Sequence, residues 1–180
     1  MLFRIIFLFL PLTLFCSQIF GQNEISNIYG TKEYKIQFPY TPEKMTQPLS
    51  TTLGELIMTI LSCEPKSTAM DENYVYLLME TDYPEMEVHS DKTDILEKFF
   101  RGSVDGAVVN VKGKLIKETV GKVSQYPSRT IEIDYGNGIA IIKMKMILKE
   151  SKMIIIQTIT ETKKYPNKAI DAFFDSFLIK

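Results

Sequence analysis

Apolar and polar side chains alternate in short runs along most of this chain, and the spacing lengthens to three and four in only two places. Tyr34-Lys35-Ile36-Gln37-Phe38 steps with a period of two up to Pro39, the pattern of a half-buried strand. Pro42 to Thr52 holds two prolines and many hydroxyls and reads as a loop. Leu53 to Cys63 is a largely apolar strand closed by Glu64-Pro65. After a polar turn over residues 67–73, Tyr74 to Met79 forms another strand that extends to Asp82 before Pro84. Residues 22–33 are polar without a period and read as a flexible lead-in.

Helical spacing then takes over. Ser90 or Asp91 is placed to cap a helix, with Asp94 and Glu97 in its early turns, where carboxylates favour the positive end of the helix dipole. Leu96, Phe99, Phe100, Val104 and Ala107 form a stripe at three- and four-residue steps, so one face lies on a core. Gly102 and Gly106 fall four apart on this helix, each costing about 1 kcal/mol relative to alanine. Their expected use is close approach to the sheet, with a flexible hinge as the alternative.

The second half reads as a strand meander. Gly113 to Val123 alternates loosely, and Tyr126-Pro127-Ser128 is expected to turn the chain. Ile131, Ile133 and Tyr135 then face one way and Thr130, Glu132 and Asp134 the other. Gly136-Asn137-Gly138 is the strongest turn signal, because Asn and Gly tolerate the positive φ that tight hairpins need. Beyond it Ile142, Met144, Met146 and Leu148 alternate with lysines whose face is expected to see water. Lys149-Glu150-Ser151-Lys152 turns again, and Met153 to Thr162 returns. Ile154-Ile155-Ile156 does not alternate and predicts cover on both sides. The last helix, Lys168 to Phe177, places Ile170, Phe173, Phe174 and Phe177 on one face. Strands joined by short turns are antiparallel neighbours, and two helices on such a sheet define an α+β layered domain.

The first 22 residues add a destination. Arg4 precedes an apolar block from Ile5 to Phe15, interrupted by Pro11, and a short tail ends at Gly21. That order, over residues 1–21, is a signal peptide, and the block is too short to span a bilayer comfortably. The protein is therefore expected to be exported, to the periplasm, the cell envelope or the outside. Loss of Arg4 with the leader takes the 21 basic residues to 20 against 22 acidic, a net charge of −2. Such a balance gives no reason to expect nucleic acid as a partner. Cys16 lies in the leader, leaving Cys63 unable to form an internal disulfide and reading as a buried, inert thiol. Cleavage before a lipid-modified Cys16 is the alternative that would anchor the domain to a membrane, although Phe15 departs from the small residue such sites carry.

The chain resembles the Mog1/PsbP-like superfamily, in which an antiparallel sheet is sandwiched by helices. The resemblance is carried by Tyr34-Lys35-Ile36-Gln37-Phe38-Pro39, by the mid-chain helix before a glycine-bearing strand, and by Tyr126-Pro127-Ser128-Arg129-Thr130-Ile131 leading to Gly136-Asn137-Gly138. The closing Ala172-Phe173-Phe174-Asp175-Ser176-Phe177 completes it. It implies an α/β/α sandwich over residues 34–180 as one domain, and a superfamily used for non-catalytic binding modules, exported bacterial lipoproteins among them. No site residue is carried over.

Candidate chemistry is sparse. His89 is the only histidine, so a histidine-cluster zinc site is excluded, and it reads as an exposed loop residue. No serine sits in a G-x-S-x-G elbow. The acidic run Glu80, Asp82, Glu85, Glu87, Asp91, Asp94 and Glu97 lacks the glycine bend of a calcium loop and reads as a solvated strand end and helix start. Lys143, Lys145, Lys149 and Lys152, with Lys163, Lys164 and Lys168, form either a solvated face paired by Glu132, Asp134, Glu150 and Glu161 or a docking surface for an acidic partner. Tyr74, Tyr76, Tyr83, Tyr126 and Tyr135 either pack in core and rim or line an apolar groove. No catalytic, metal or cofactor residue is assigned and no cofactor is expected. The resulting expectation is an exported, non-catalytic binding or interaction domain for an unknown protein or small ligand. Its alternatives are an enzyme accessory or hydrolase with an unidentified carboxylate site, and a lipid-anchored envelope component.

Overall fold

The structure, a computed structural model, describes residues 27–66 and 71–180; the leader and Cys16 lie outside the described residues. The chain runs β1 (Ile28–Gly30), β2 (Tyr34–Gln37), β3 (Glu43–Thr51), β4 (Gly54–Cys63), β5 (Asn73–Asp82), α1 (Thr93–Val111), β6 (Lys114–Val123), β7 (Tyr126–Tyr135), β8 (Ala140–Lys149) and β9 (Lys152–Glu161). A 3₁₀ turn (Thr162–Lys164), α2 (Lys168–Asp175) and β10 (Leu178–Ile179) follow. Seven strands form one sheet in the order β3-β4-β5-β9-β8-β7-β6, every neighbouring pair antiparallel. A second sheet, β1-β2-β10, joins the two ends of the described chain.

Period-two alternation sends the apolar residues of the inner strands to two separate cores. On one face, Phe100 and Val104 of α1 bury against Ile131, Ile133, Ile142, Met144, Met146 and Leu148. On the other, Ile170, Phe173, Phe174 and Phe177 bury with Tyr34 and Ile36 of the small sheet and Phe38 just beyond it against Leu61, Tyr76, Leu78, Ile147, Ile154 and Ile156. Burying the four apolar side chains at and just beyond α2 is worth about 6–12 kcal/mol before entropy, at about 1.5–3 kcal/mol each. The fold is thus α+β but richer in sheet than a helix-flanked sandwich, with 52% of the described residues in strands. One face carries a helix, and the other carries a helix and three more strands.

Several local expectations change. Residues 43–51 form β3 and not a loop: β3 is an edge strand, and an edge can hold Pro48 because one row of its N–H groups pairs with nothing. Residues 28–30, expected in the flexible lead-in, pair as β1 with β2. The turn expected at Tyr126-Pro127-Ser128 lies earlier, at Ser124 and Gln125, with Ser124 at φ +53°. Neither Ser90 nor Asp91 caps α1; Lys92 occupies that position without a side-chain hydrogen bond. Gly102 and Gly106 are exposed and a Cβ at either would meet nothing within 4 Å. The close approach belongs to Gly113, where a Cβ would lie 2.4 Å from Ile133 Cγ2 and 2.7 Å from the Asp134 carbonyl oxygen. At Gly136-Asn137-Gly138 the chain turns as expected, with φ of +66°, +54° and +91°. Ile154 and Ile156 are fully buried and Ile155 packs toward α1, so β9 is covered on both faces.

Candidate functional site

α2 is the element around which the open surfaces lie. Asn167 caps it, its side-chain oxygen accepting from the Ile170 N–H at 3.0 Å. Asn167 is itself held by Asn73, a residue 1% exposed near the start of β5. Asn73 Nδ2 donates to the Tyr76 hydroxyl at 2.7 Å, and its Oδ1 accepts from Asn167 Nδ2 at 3.0 Å and from the Thr160 hydroxyl. The Tyr76 hydroxyl in turn donates to the Asp71 carboxylate at 2.8 Å. Burial, with that hydrogen bond to Asp71, pushes the Tyr76 hydroxyl's pKa upward. The polar hub thus fixes α2 to β5 and β9 and sets its distance from the sheet.

Two grooves result. On the β5 side, Phe38, Tyr76 and Phe173 line an apolar trough of about 250 Å³ with Asp71 at one end. On the β6–β8 side lies a charged groove of about 270 Å³. Its floor is two cross-strand rows: Lys117, Glu132 and Lys143, then Thr119, Thr130 and Lys145. Asp171, Phe174 and Asp175 of α2 form its wall. Lys117 lies 3.7 Å from Glu132, and Lys143 lies 3.6 Å from Asp171. Lys143 and Lys145 hold their ammonium groups 4.9 and 5.5 Å from the Phe174 ring centroid. The lysine face of β8 is therefore not simply solvated, because α2 and the small sheet overlie it. Burial lowers the Lys145 pKa, the charge of Lys143 adds to this, and the charge of Asp175 opposes it. At the far end Tyr165 is pushed upward by burial and by the Glu132 carboxylate beside it.

The remaining basic residues separate. Lys149, 8% exposed at its side chain, and Lys152 both reach Glu33 at 3.4 Å, tying the β8–β9 turn to the small sheet. Lys163 and Lys164 pair with Glu161. Of the expected acidic partners, Glu132, Glu150 and Glu161 do pair with lysines, while Asp134 accepts the Gly138 N–H at 2.6 Å. The acidic run disperses: Glu80 and Asp82 meet Lys152, Asp91 meets His89, and Glu97 meets Arg129. Among the described residues no three His, Cys, Asp or Glu side chains converge as a metal site. His89 is half-buried, its Nδ1 accepting from the Asp91 N–H at 3.2 Å. The five tyrosines do not gather; of them only Tyr76 lines either groove. Cys63 is buried and its thiol donates to the Tyr40 carbonyl at 3.4 Å, burial raising its pKa.

Sequence reasoning missed two features. Asn73 ends the polar run Asp71-Glu72-Asn73 at a strand start, and nothing in its spacing marks a hub. Arg129, 5% exposed, points from β7 toward α1, over the Phe100 ring at 4.9 Å and between Glu97 and Glu118. The alternation that puts Ile131 and Ile133 on that face carried the signal.

Comparison with known families and with curated proteins gives no match. Among solved structures the chain is similar to cyanobacterial PsbP (CyanoP) from Synechocystis sp. PCC 6803, with a TM-score of 0.53 at 12% identity, covering 91% of this chain and 98% of that one. At such identity the likeness is one of fold alone. The protein has a PsbP-like fold.

Proposed function

We propose that this protein is an exported, non-catalytic binding module of the periplasm or cell envelope, a distant relative of the Mog1/PsbP-like superfamily, which receives its partner along α2. The observation that carries the reading is the charged groove of about 270 Å³, open to solvent and floored by three hydrogen-bonded strands. Its ion pairs run from strand to strand, Lys117 with Glu132, and from sheet to helix, Lys143 with Asp171, and are not gathered on one reacting atom. The PsbP-like fold is compatible with this role and does not itself assign it.

A photo-crosslinking amino acid at Thr119 in the groove, compared with one at the exposed Asn110 of α1, tests it in the native envelope fraction. The expected result is a discrete adduct from Thr119 and none from Asn110, on a protein recovered outside the cytoplasm with its leader removed. Retention in the cytoplasm, or identical adduct patterns from both positions, refutes the reading.

A further inference from the structure

We propose that the Lys145 end of the charged groove is a carboxylate subsite, and that its occupant is an acidic peptide segment of a protein partner. This rests on the binding-module reading and names the ligand chemistry of the same site. Lys145 stands on β8, which is bonded to β7 on one side and β9 on the other, so its stem is held by interior sheet and not by a loop. The other two lysines of the groove have carboxylate partners, Glu132 for Lys117 and Asp171 for Lys143. Lys145 has no carboxylate within ion-pairing distance among the described residues. Thr130 lies directly across from it and Thr119 next in the same row, and neither carries a side-chain hydrogen bond among the described residues. One cation and two free hydroxyls side by side are the donor set that a carboxylate accepts from.

The competing anion, Asp175, sits exposed on α2, where water and salt screen it, whereas Lys145 is half-buried on the floor. Burial disfavours the Lys145 ammonium, Asp175 offsets this only in part and Lys143 adds to it, and an incoming carboxylate relieves the remaining penalty. A peptide fits better than a free acid. Small-molecule sites enclose most of their ligand's surface, and this groove stays open along the edge strand β6. An extended segment needs only one wall and can pair with the unpaired backbone of β6.

The test uses fluorescein-labelled octaglutamate as probe, with octaglutamine and free glutarate as comparisons, titrated against the full chain at low and moderate salt. Octaglutamate should bind saturably and more weakly as salt rises. Lys145→Gln should weaken it about tenfold or more, the scale of one charge-assisted hydrogen bond, and Lys145→Arg should restore it to within about threefold. Lys163→Gln, outside the groove, should leave it unchanged. The Lys145 side-chain carbon resonance should report a raised pKa when peptide is bound. Equal weakening by Lys145→Gln and Lys163→Gln would reveal diffuse attraction and overturn the subsite, as would the absence of saturable binding. Glutarate binding as tightly as octaglutamate would overturn the peptide assignment. If octaglutamate fails while Thr119 still crosslinks a discrete partner, the ligand chemistry is wrong and the binding module stands; failure of both removes both.

Discussion

Replacing Gly102 and Gly106 with alanine should stabilise the protein, against the intuition that two glycines four apart in a helix mark a tight contact. Both are exposed on α1, on the side away from Phe100 and Val104, and an added methyl meets no atom within 4 Å. The change then acts only through backbone entropy and helix propensity, worth about 0.5–1 kcal/mol per site. The double variant should gain about 1–2 kcal/mol, a rise in melting temperature of about 2–8 °C for a chain of this size. Gly113→Ala is the opposed control. Its Cβ would fall 2.4 Å from Ile133 Cγ2 and 2.7 Å from the fixed Asp134 carbonyl oxygen, so β7 must shift. A loss of about 1–3 kcal/mol is expected from such overpacking. Urea unfolding at 25 °C, fitted with a common slope for all variants, measures each change. Destabilisation by either helix variant beyond about 0.5 kcal/mol, or a neutral Gly113→Ala, refutes the placement of α1 on the sheet.

Asn73→Ala should cost about 2–3 kcal/mol by urea unfolding, since it strands the buried Thr160 hydroxyl and unties the Asn167 cap. Arg129→Ala should cost about 2–4 kcal/mol because Glu118 then keeps only Arg101, at 2.7 Å; Arg129→Met, which retains the packing over Phe100, should lose roughly half as much. For Glu33 the sign follows from its partners. Burial alone would raise its pKa, but Lys152 and Lys149 outweigh that and hold it below the ordinary 4.5. Its contribution is therefore present above pH 4.5 and lost as the pH falls through the lowered value. Glu33→Gln should cost about 0.5–1 kcal/mol at pH 7, a figure discounted for partial exposure, and nothing at pH 2. Melting curves across that range would contradict the assignment if the gap between the two proteins stayed constant.

The central meander was legible where apolar residues alternate with polar ones: the alternation of Ile142, Met144, Met146 and Leu148 with lysines is the direct imprint of the α1 core. The Gly136-Asn137-Gly138 turn was legible because its backbone requirement is local. β3 was not, since an exposed edge strand has no buried face to impose a period and its hydroxyls and prolines mimic a loop. β1 and β10 are three and two residues long, too short to show any period. The glycines of α1 were misjudged because spacing along a helix does not say which side of it meets the sheet. The charged groove was half visible: the lysines of β8 announced a basic face, but α2 leans over that face through a tertiary arrangement that no stretch of residues encodes locally. Asn73 and Asn167 lie 94 positions apart, and only their meeting makes the hub.

β10 pairs Leu178 with Lys35 and Ile179 with Tyr34, bringing together segments from opposite ends of the described chain. By contrast, β6 to β9 are each joined to the next by two to four residues. Ring closure over so long a span carries a far larger entropic toll than stitching successive hairpins. As synthesis proceeds from the first residue onward, the α1 layer has all its parts once β9 has been made, since Met153 and Ile155 complete its core. The layer bearing α2 must wait for its last strand, so the side of the molecule that carries both grooves is the one whose assembly finishes late.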